Sequence, residues 1–293
     1  MPEGQPITRE LSLSEVVSKT FQLYGRDFVK YLILFLIIEA IIGVLTSVLQ
    51  RGIVLPLPPV NATPQETLAW ASSFLEASAA LVAITGLVTW VFYPIAYGTA
   101  VKLASEQIEK GYADFALSVR SVVSQLLWMW VVGIVVGILV ILGFIALIVP
   151  GIILSIMFSL VLPIIVIERS GFQSLGRSRE LVSQRWLKTL VLLIVFGIII
   201  GIAAAIVGQI SALFGSASSI VSGILSAFYV PLLPIAVTVY YYSNVARMAP
   251  PAVAPPSMPP TTGQPEARFC PNCGTQLSPD AKFCPSCGAN LST

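Results

Sequence analysis

Six long apolar stretches, separated by polar segments, dominate the pattern of this 293-residue chain. They cover approximately residues 29–50, 77–103, 124–148, 151–167, 187–212 and 219–245. Most of them exceed the roughly 20 residues that an α-helix needs to cross a bilayer. The fourth stretch is the shortest, and we expect it to be a short span or a partly re-entrant segment. The pattern predicts an all-α polytopic membrane protein with six transmembrane helices.

The composition agrees with this class. Hydrophobic residues make up 56% of the chain and charged residues only 10%, whereas about a quarter of a typical soluble domain is charged. The first 27 residues are polar and lack the charged, apolar and small-residue sequence of a cleaved signal peptide. We therefore expect the mature chain to start at or near Met1.

Short junctions and the distribution of basic residues predict the topology. Val149-Pro150-Gly151 separates spans three and four, and residues 215–219 separate spans five and six, so each pair should form an antiparallel hairpin. With six spans, 15 of the 16 lysines and arginines fall on one side and only Arg51 on the other. The positive-inside rule then places both termini in the cytoplasm of a multi-pass cell-membrane protein.

An amphipathic stretch precedes each odd-numbered span. The first opens with Ser12 and Glu15, which match a capping box. The apolar residues of the three stretches are Leu13, Val16, Val17, Phe21 and Tyr24; Phe115, Val119, Val122 and Val123; and Phe172, Leu175, Val182 and Trp186. Such helices either lie in the membrane interface or extend the bundle on its cytoplasmic side. Short matching motifs around Pro94, Pro163 and Pro234 further predict three similar hairpins, each with a proline kink in its second helix.

The segment from residue 150 to residue 186 carries a family resemblance. Its motifs are Pro150-Gly151-Ile152, Leu162-Pro163, Val166-Ile167-Glu168-Arg169-Ser170-Gly171, Ser174-Leu175, Arg177-Ser178, Glu180-Leu181-Val182 and Trp186. They resemble the six-helix membrane domain associated with glycerophosphoryl diester phosphodiesterases, over roughly residues 10–245. The resemblance implies a helical membrane module without an assigned activity. Because no catalytic barrel is attached, no active-site residue of that enzyme carries over.

All four cysteines of the chain lie in its last 26 residues, in two Cys-Pro-x-Cys-Gly motifs. Their spacing is that of a tetrahedral zinc site, which predicts a small zinc ribbon with the ligands Cys270, Cys273, Cys284 and Cys287. Reduced thiolates favour a cytoplasmic location. We expect Phe269 and Phe283 to pack on the two turns. Charges within 266–293 balance, which argues against nucleic-acid binding.

Glu39 is the one carboxylate deep inside an apolar span. A carboxylate near the bilayer centre is costly, so it predicts a proton or cation site, with Thr85, Thr89, Tyr93 and Tyr97 as candidate partners. The alternative is a protonated Glu39 that only holds two helices together by a hydrogen bond.

Two further patterns have both a structural and a functional interpretation. The basic loop containing Arg177, Arg179, Arg185 and Lys188 either contacts acidic lipid headgroups or only fixes the topology. The glycine pairs Gly133/Gly137 and Gly197/Gly201 match small-xxx-small helix packing, which predicts close contacts within the bundle or, alternatively, a homo-oligomer seam.

The chain therefore divides into four predicted segments. These are a cytoplasmic N-terminal amphipathic segment (1–28), a six-helix transmembrane domain (29–247), a proline-rich linker (248–267) and the zinc ribbon (268–293). The chain contains no histidine, which excludes histidine-based catalysis. Loop carboxylates such as Glu106, Glu109 and Asp114 are interpreted as solvated surface, so we expect no enzyme.

Two functions remain from the sequence. In the first, the bundle is a membrane anchor and the ribbon docks or senses a cytoplasmic protein partner. In the second, the bundle transports a lipid, an ion or a small solute through a site at Glu39. Membrane lipids are partners in both.

Overall fold

A computed structural model describes residues 7–60, 62–215, 218–249, 268–278 and 281–290. Within these ranges the chain forms eleven helices and two short strands. The helices are α1 (Leu13–Arg26), α2 (Phe28–Leu49), α3 (Pro64–Lys110), α4 (Phe115–Val123), α5 (Leu126–Ala146), α6 (Ile148–Met157), α7 (Val161–Glu168), α8 (Gln173–Ser183), α9 (Trp186–Ala212), α10 (Ser218–Ser226) and α11 (Leu232–Met248). The strands are β1 (Arg268–Phe269) and β2 (Gln276–Leu277).

The chain separates into two compact units, residues 1–248 and 249–293. The first contains all the helices, and the second contains both strands and the four cysteines. The predicted linker lies outside the described residues except for Met248 and Ala249.

Five stretches of the described chain are long and apolar enough to cross a membrane: α2, α3, α5, residues 148–168 and α9. The protein is thus an all-α polytopic membrane protein, as predicted. The expected sixth span is not one continuous helix, because α10 and α11 are separated by a break at residues 227–231. Pro231 is the last residue of this break and Pro234 lies in the first turn of α11, and neither has a backbone N–H to donate to a helical hydrogen bond.

The fourth predicted span is interrupted in a similar way. Residues 158–160 form a turn between α6 and α7, and Pro163 is the third residue of α7, as Pro234 is of α11. Proline is tolerated in the first turn of a helix, where the missing N–H has no intrahelical partner. Only Pro94 lies inside a continuous helix. The predicted proline kinks are therefore breaks before α7 and α11, while the helix around Pro94 continues.

Helix α3 is much longer than the span predicted for it. Its 47 residues extend about 70 Å, more than twice the thickness of a bilayer hydrocarbon core. A capping box begins it, since the side chain of Thr63 accepts from the N–H of Glu66 and Glu66 accepts from the N–H of Thr63. The second half of residues 51–76, which separate the first two predicted spans, is therefore helical.

The turn between α5 and α6 lies at Leu147, with an extended backbone, rather than at Pro150-Gly151. Gly143 and Gly151 meet where the two helices cross. A Cβ on Gly143 would lie 3.0 Å from Cα of Gly151, and one on Gly151 would lie 2.4 Å from the ring of Phe144. The glycines therefore allow the two helices to approach closely.

The amphipathic stretches form the short helices α1, α4 and α8. The capping box at Ser12 and Glu15 is present at the start of α1. Val16, Val122 and Leu181, one from each short helix, are fully buried in the hydrophobic cores of the bundle. These buried residues pack against the other helices of the bundle, as the second interpretation expects, whereas Phe21, Val123, Phe172 and Trp186 of the same stretches are exposed.

The best-buried part of the bundle lies at one end of α3. Apart from Val88, the buried residues of α3 lie between Ala96 and Ile108, while residues 64–87 are exposed or half-buried. Helix α11 packs against α1, against α3 and against α7. Its inner residues are buried, Tyr240 and Asn244 among them. The core therefore lies at the end that carries most of the basic residues.

Candidate functional site

The first cysteine turn positions two thiols through its backbone. The carbonyl of Cys270 accepts a 2.8 Å hydrogen bond from the N–H of Gly274, and the N–H of Cys270 donates to the carbonyl of Thr275 over 2.9 Å. Gly274 has a φ of 74°, a left-handed conformation that glycine adopts without strain. The thiol of Cys273 lies 3.3 Å from the hydroxyl of Thr275. This hydrogen bond, together with one from the backbone of Thr275 and those from the thiols of Cys287 and Cys284, lowers the pKa of Cys273 to about 6, which favours the thiolate that metals bind.

The second cysteine turn repeats the first. Gly288 donates its N–H to the carbonyl of Cys284 over 2.9 Å, and the N–H of Cys284 donates to the carbonyl of Ala289 over 2.9 Å. Gly288 has a φ of 72°. The glycine of each Cys-Pro-x-Cys-Gly motif therefore allows the left-handed backbone that closes its turn.

The two turns bring the four sulfur atoms together. All four Sγ atoms lie within 4.8 Å of one another. Cys270 Sγ is 3.7 Å from Cys287 Sγ, and Cys273 Sγ is 3.5 Å from Cys284 Sγ. These distances exclude a disulfide, whose sulfurs lie about 2.05 Å apart. They fit a tetrahedral metal ion with metal–sulfur bonds of about 2.3 Å, for which the sulfurs stand about 3.8 Å apart.

The unit around these cysteines has a very small core. Its buried residues among those described are Cys270, Leu277 and Cys284. A two-stranded antiparallel sheet supports it, in which Phe269 pairs with Gln276. Such a small apolar core is insufficient to fold a domain by itself, so a bound metal would supply much of its stability.

The comparisons agree with this geometry. Residues 269–291 match the family model of a zinc-ribbon domain. No curated protein and no solved structure matches the chain.

The resemblance of the helical part is not supported. The family model that matches covers the ribbon alone, and nothing supports membership of the membrane family associated with glycerophosphoryl diester phosphodiesterases. The distinctive motifs that suggested it are short and mostly apolar. Apolar motifs recur in unrelated membrane helices because the bilayer restricts their composition.

Three of the four headgroup candidates in the basic loop have carboxylate partners. Arg177 pairs with Glu168 at 3.4 Å and with Glu180 at 2.9 Å. Arg185 and Lys188 both pair with Glu10, at 3.2 and 2.5 Å. Arg179 is exposed and has no ion pair within the described part of the chain. Most of this positive charge is therefore neutralised within the bundle.

Glu39 lies where α2 meets α10. It is half-buried, and a Cβ built on Gly223 would lie 3.9 Å from Cβ of Glu39. Tyr93 and Tyr229 are close enough to interact electrostatically with its carboxylate. Of the predicted partners, Tyr93 is thus near Glu39, whereas Thr85 accepts a 2.7 Å hydrogen bond from Gln50.

The glycine pairs predicted to pack within the bundle do not do so. No atom beyond their own helix and chain neighbours lies within 4 Å of a Cβ built on Gly133, Gly137, Gly197 or Gly201. The expected close contacts within the bundle are wrong for these four glycines. Their open faces are compatible with the alternative, a homo-oligomer seam.

The sequence interpretation overlooked a buried carboxylate. Glu106 is only 6% exposed, although we expected a solvated side chain. It accepts hydrogen bonds from the hydroxyl of Ser118 at 3.1 Å and from the N–H of Asp114 at 3.3 Å, which closes the turn between α3 and α4. Lys102 and Lys110 lie four residues away on either side, at 3.8 and 3.4 Å. The i, i+4 spacing of Glu106 from two lysines was the feature of the sequence that could have indicated this ion-paired carboxylate.

A second polar cluster joins α2 to α3. The hydroxyl of Tyr31 donates to Gln107 at 3.2 Å, and the amide of Gln107 donates to Asp27. Lys30 pairs with Asp27 at 2.8 Å and donates to the carbonyl of Ala113 at 2.8 Å. Burial alone would raise the pKa of Asp27, but the hydrogen bonds from Lys30 and Gln107 together lower it. The cluster therefore fixes the α1–α2 junction against the end of α3.

Proposed function

We propose that this protein is a non-catalytic membrane adaptor whose ribbon binds zinc and docks a protein partner. The helical bundle serves as the anchor or scaffold. The observation that carries the proposal is the exposure of two phenylalanines on the ribbon. Phe269 and Phe283 each precede the first cysteine of a turn and are 60% and 62% exposed.

The exposure of these rings differs from the expected packing on the turns. The small core leaves both rings outside, where each exposes a large apolar surface to water. Aromatic side chains at such positions are enriched where proteins bind one another. Protein docking by the ribbon is therefore favoured over a role in metal storage or in structure alone.

Zinc is the metal that this ligand set favours. Four thiolates in a tetrahedral arrangement, with no open position, are typical of a structural zinc site. Such thiols remain reduced in the cytoplasm. Together with the 15 basic residues that six crossings would place on one side, this supports both termini, and the ribbon with them, in the cytoplasm.

The proposal is tested by removing the two rings without disturbing the metal. A Phe269→Ala/Phe283→Ala variant should keep its zinc, measured by mass spectrometry of the metal, but lose the proteins that co-purify from native membranes. Ser286→Ala, at an exposed position of the second turn, is the matched control and should keep them. A co-purifying set that is identical in the double variant and the wild type would refute docking by the ribbon.

A second candidate, transport through the bundle, is favoured by the position of Glu39. Three elements meet there, since Gly223 of α10 lies against this side chain, and Tyr93 of α3 and Tyr229 of the α10–α11 break are close enough to interact electrostatically with its carboxylate. In proteoliposomes, Glu39→Gln should then abolish proton or solute flux while Phe269→Ala/Phe283→Ala leaves it unchanged. The absence of any flux from the wild-type protein would remove this candidate.

A further inference from the structure

An arginine in a left-handed conformation ends helix α7. Arg169 has a φ of 53° and a ψ of 38°, and it is the one non-glycine residue of the described chain with a positive φ. Residues in this conformation are strained and often lie at binding sites. Its guanidinium is exposed and donates to the hydroxyl of Ser121 over 3.4 Å. No carboxylate of the described chain forms an ion pair with it, in contrast to Arg177 and Arg185 of the same loop.

Two buried polar atoms beside this arginine lack a partner. Gln125 is 7% exposed, and its amide N–H groups donate to the carbonyls of Ser121 at 3.3 Å and Val166 at 3.5 Å. Its oxygen, Oε1, is buried and accepts no hydrogen bond from the described residues. The hydroxyl of Ser170, next to Arg169, is also buried and has no hydrogen-bond partner among the described residues. Buried polar atoms normally find partners, so this group of atoms has free capacity for a ligand.

Arg169 and Gln125 lie close together because both donate to Ser121, and Ser170 is the residue next to Arg169 in the chain. Ser121 accepts from Arg169 at its hydroxyl and from Gln125 at its carbonyl. The site therefore combines a cation, two hydroxyls and an amide acceptor at the turns α4–α5 and α7–α8.

A pair of aromatic rings borders the site. The rings of Trp128 and Phe172 meet edge to face with their centroids 5.6 Å apart, and the two residues are 43% and 52% exposed. The indole also covers the backbone of Gly171, where a Cβ would lie 2.8 Å from the ring. Exposed tryptophans at helix ends typically lie at the level of lipid headgroups.

We propose that Arg169, Ser121, Ser170 and Gln125 form a binding site for the headgroup of a membrane phospholipid. The guanidinium and the hydroxyls bind the phosphate, since arginine forms strong charge-assisted hydrogen bonds to phosphate oxygens. Oε1 of Gln125 accepts from a donor in the headgroup. The aromatic pair contacts the glycerol and the upper acyl chains.

This arrangement distinguishes between two common headgroups of equal net charge. Phosphatidylethanolamine carries N–H donors for Gln125, whereas phosphatidylcholine has a phosphate but no N–H or O–H donor. Leaving the amide oxygen unpaired is costly, so phosphatidylethanolamine should bind about tenfold more tightly. The site is separate from the ribbon and from Glu39, so it does not depend on either proposed function.

Native mass spectrometry of the full-length protein in detergent, titrated with each of these two lipids, tests the site. Arg169→Gly removes the guanidinium and suits the left-handed backbone, so the variant should fold at least as well as the wild type. It should bind phosphatidylethanolamine about tenfold more weakly. Arg169→Asn, which also tolerates this conformation, should behave in the same way. Arg179→Gln, a matched exposed arginine of the same loop, should bind like the wild type.

The same titration tests whether the site binds the phosphate of a lipid rather than free inorganic phosphate. Inorganic phosphate in large excess should not displace the bound phosphatidylethanolamine, because it cannot contact the aromatic pair. Gln125→Met should abolish the preference over phosphatidylcholine while retaining binding. The proposal is overturned if Arg169→Gly binds like the wild type, if Arg179→Gln loses as much affinity, if the wild type shows no preference, or if inorganic phosphate displaces the lipid.

Discussion

Lys188 donates a 2.5 Å hydrogen bond from Nζ to the carboxylate of Glu10, which lies 178 residues earlier in the chain. Arg185 donates to the same carboxylate at 3.2 and 3.3 Å. Lys188 also binds the carbonyl of Leu11, whose N–H donates to the hydroxyl of Ser243 over 2.8 Å. These contacts join the segment before α1 to α9 and α11. The N-terminal and C-terminal parts of the helical bundle therefore stabilise each other.

Replacing Glu10 with glutamine should weaken this junction. The substitution keeps the shape of the side chain and removes its charge, so Lys188 loses a partly buried ionic partner. The free energy of unfolding should fall by about 1 kcal/mol, measured by thermal denaturation of the detergent-solubilised protein. Glu180→Gln is the control, since Glu180 is more exposed and pairs only within its own helix, with Arg177; it should melt close to the wild type. A Glu10→Gln variant as stable as the wild type would contradict the role given to this pair.

The contribution of Glu10 to the stability of the folded protein should decrease as the pH falls. Burial alone would raise the pKa of Glu10, but the hydrogen bonds from Lys188 and Arg185 outweigh it and lower the pKa below its ordinary value of 4.5. A carboxyl group whose pKa is lowered by folding stabilises the protein above its unfolded pKa, and this stabilisation is lost as the pH falls through the folded value.

The difference in melting temperature between the wild type and Glu10→Gln should therefore be largest at neutral pH. It should shrink as the pH falls below 4.5 toward the lowered pKa. Loss of metal in acid affects both proteins equally and cancels in the difference. A difference that grows on acidification would show that the sign of this pKa shift is wrong.

Gly151 should be far less tolerant of substitution than Gly137. An added methyl group on Gly151 would lie 2.4 Å from the ring of Phe144, so Gly151→Ala should destabilise the bundle by about 2 kcal/mol. Gly137 has open space around it, and Gly137→Ala should be neutral or slightly stabilising because alanine favours the helix. Thermal denaturation of both variants checks this ranking, and equal stabilities would show that α5 and α6 do not cross as closely as described.

The ribbon should lose its metal without affecting the helices. Cys270→Ser/Cys284→Ser removes one ligand from each turn, so bound zinc should fall from about one ion per chain to none. Because the helical unit is separate from the ribbon, its circular dichroism and its melting temperature should not change. Zinc that remains at the wild-type level would exclude the four-cysteine site.

The zinc ligands could be predicted from the sequence because their chemistry is local. Two Cys-x-x-Cys pairs close their turns through hydrogen bonds that span only a few residues, such as the bond from Gly274 to Cys270. The capping box of Ser12 and Glu15 was predictable for the same reason. The apolar stretches predicted a polytopic helical protein because burial in lipid requires long apolar helices.

Contacts between distant residues could not be predicted. Arg185 and Lys188 pair with Glu10, which is 175 and 178 residues away in sequence. Because the sequence does not show so distant a pairing, both residues were interpreted as candidates for headgroup binding. The glycine pairs matched a general spacing, but the spacing does not state which face of a helix meets a neighbour, and Gly133 and Gly197 face open space. In the same way, the length of the sixth apolar stretch predicted a span but not the break at residues 227–231.

The length of α3 has a mechanical consequence. From Pro64 the helix continues over the next 30 residues to Pro94, a rigid arm of about 45 Å. Pro94 leaves the carbonyl of Trp90 without its usual backbone donor, which makes this point the softest in the helix. A bend of about 10° at Pro94 would swing the far end of the arm by about 8 Å, so a small rearrangement among the buried side chains around Ala96 would become a large displacement at the other end of the helix.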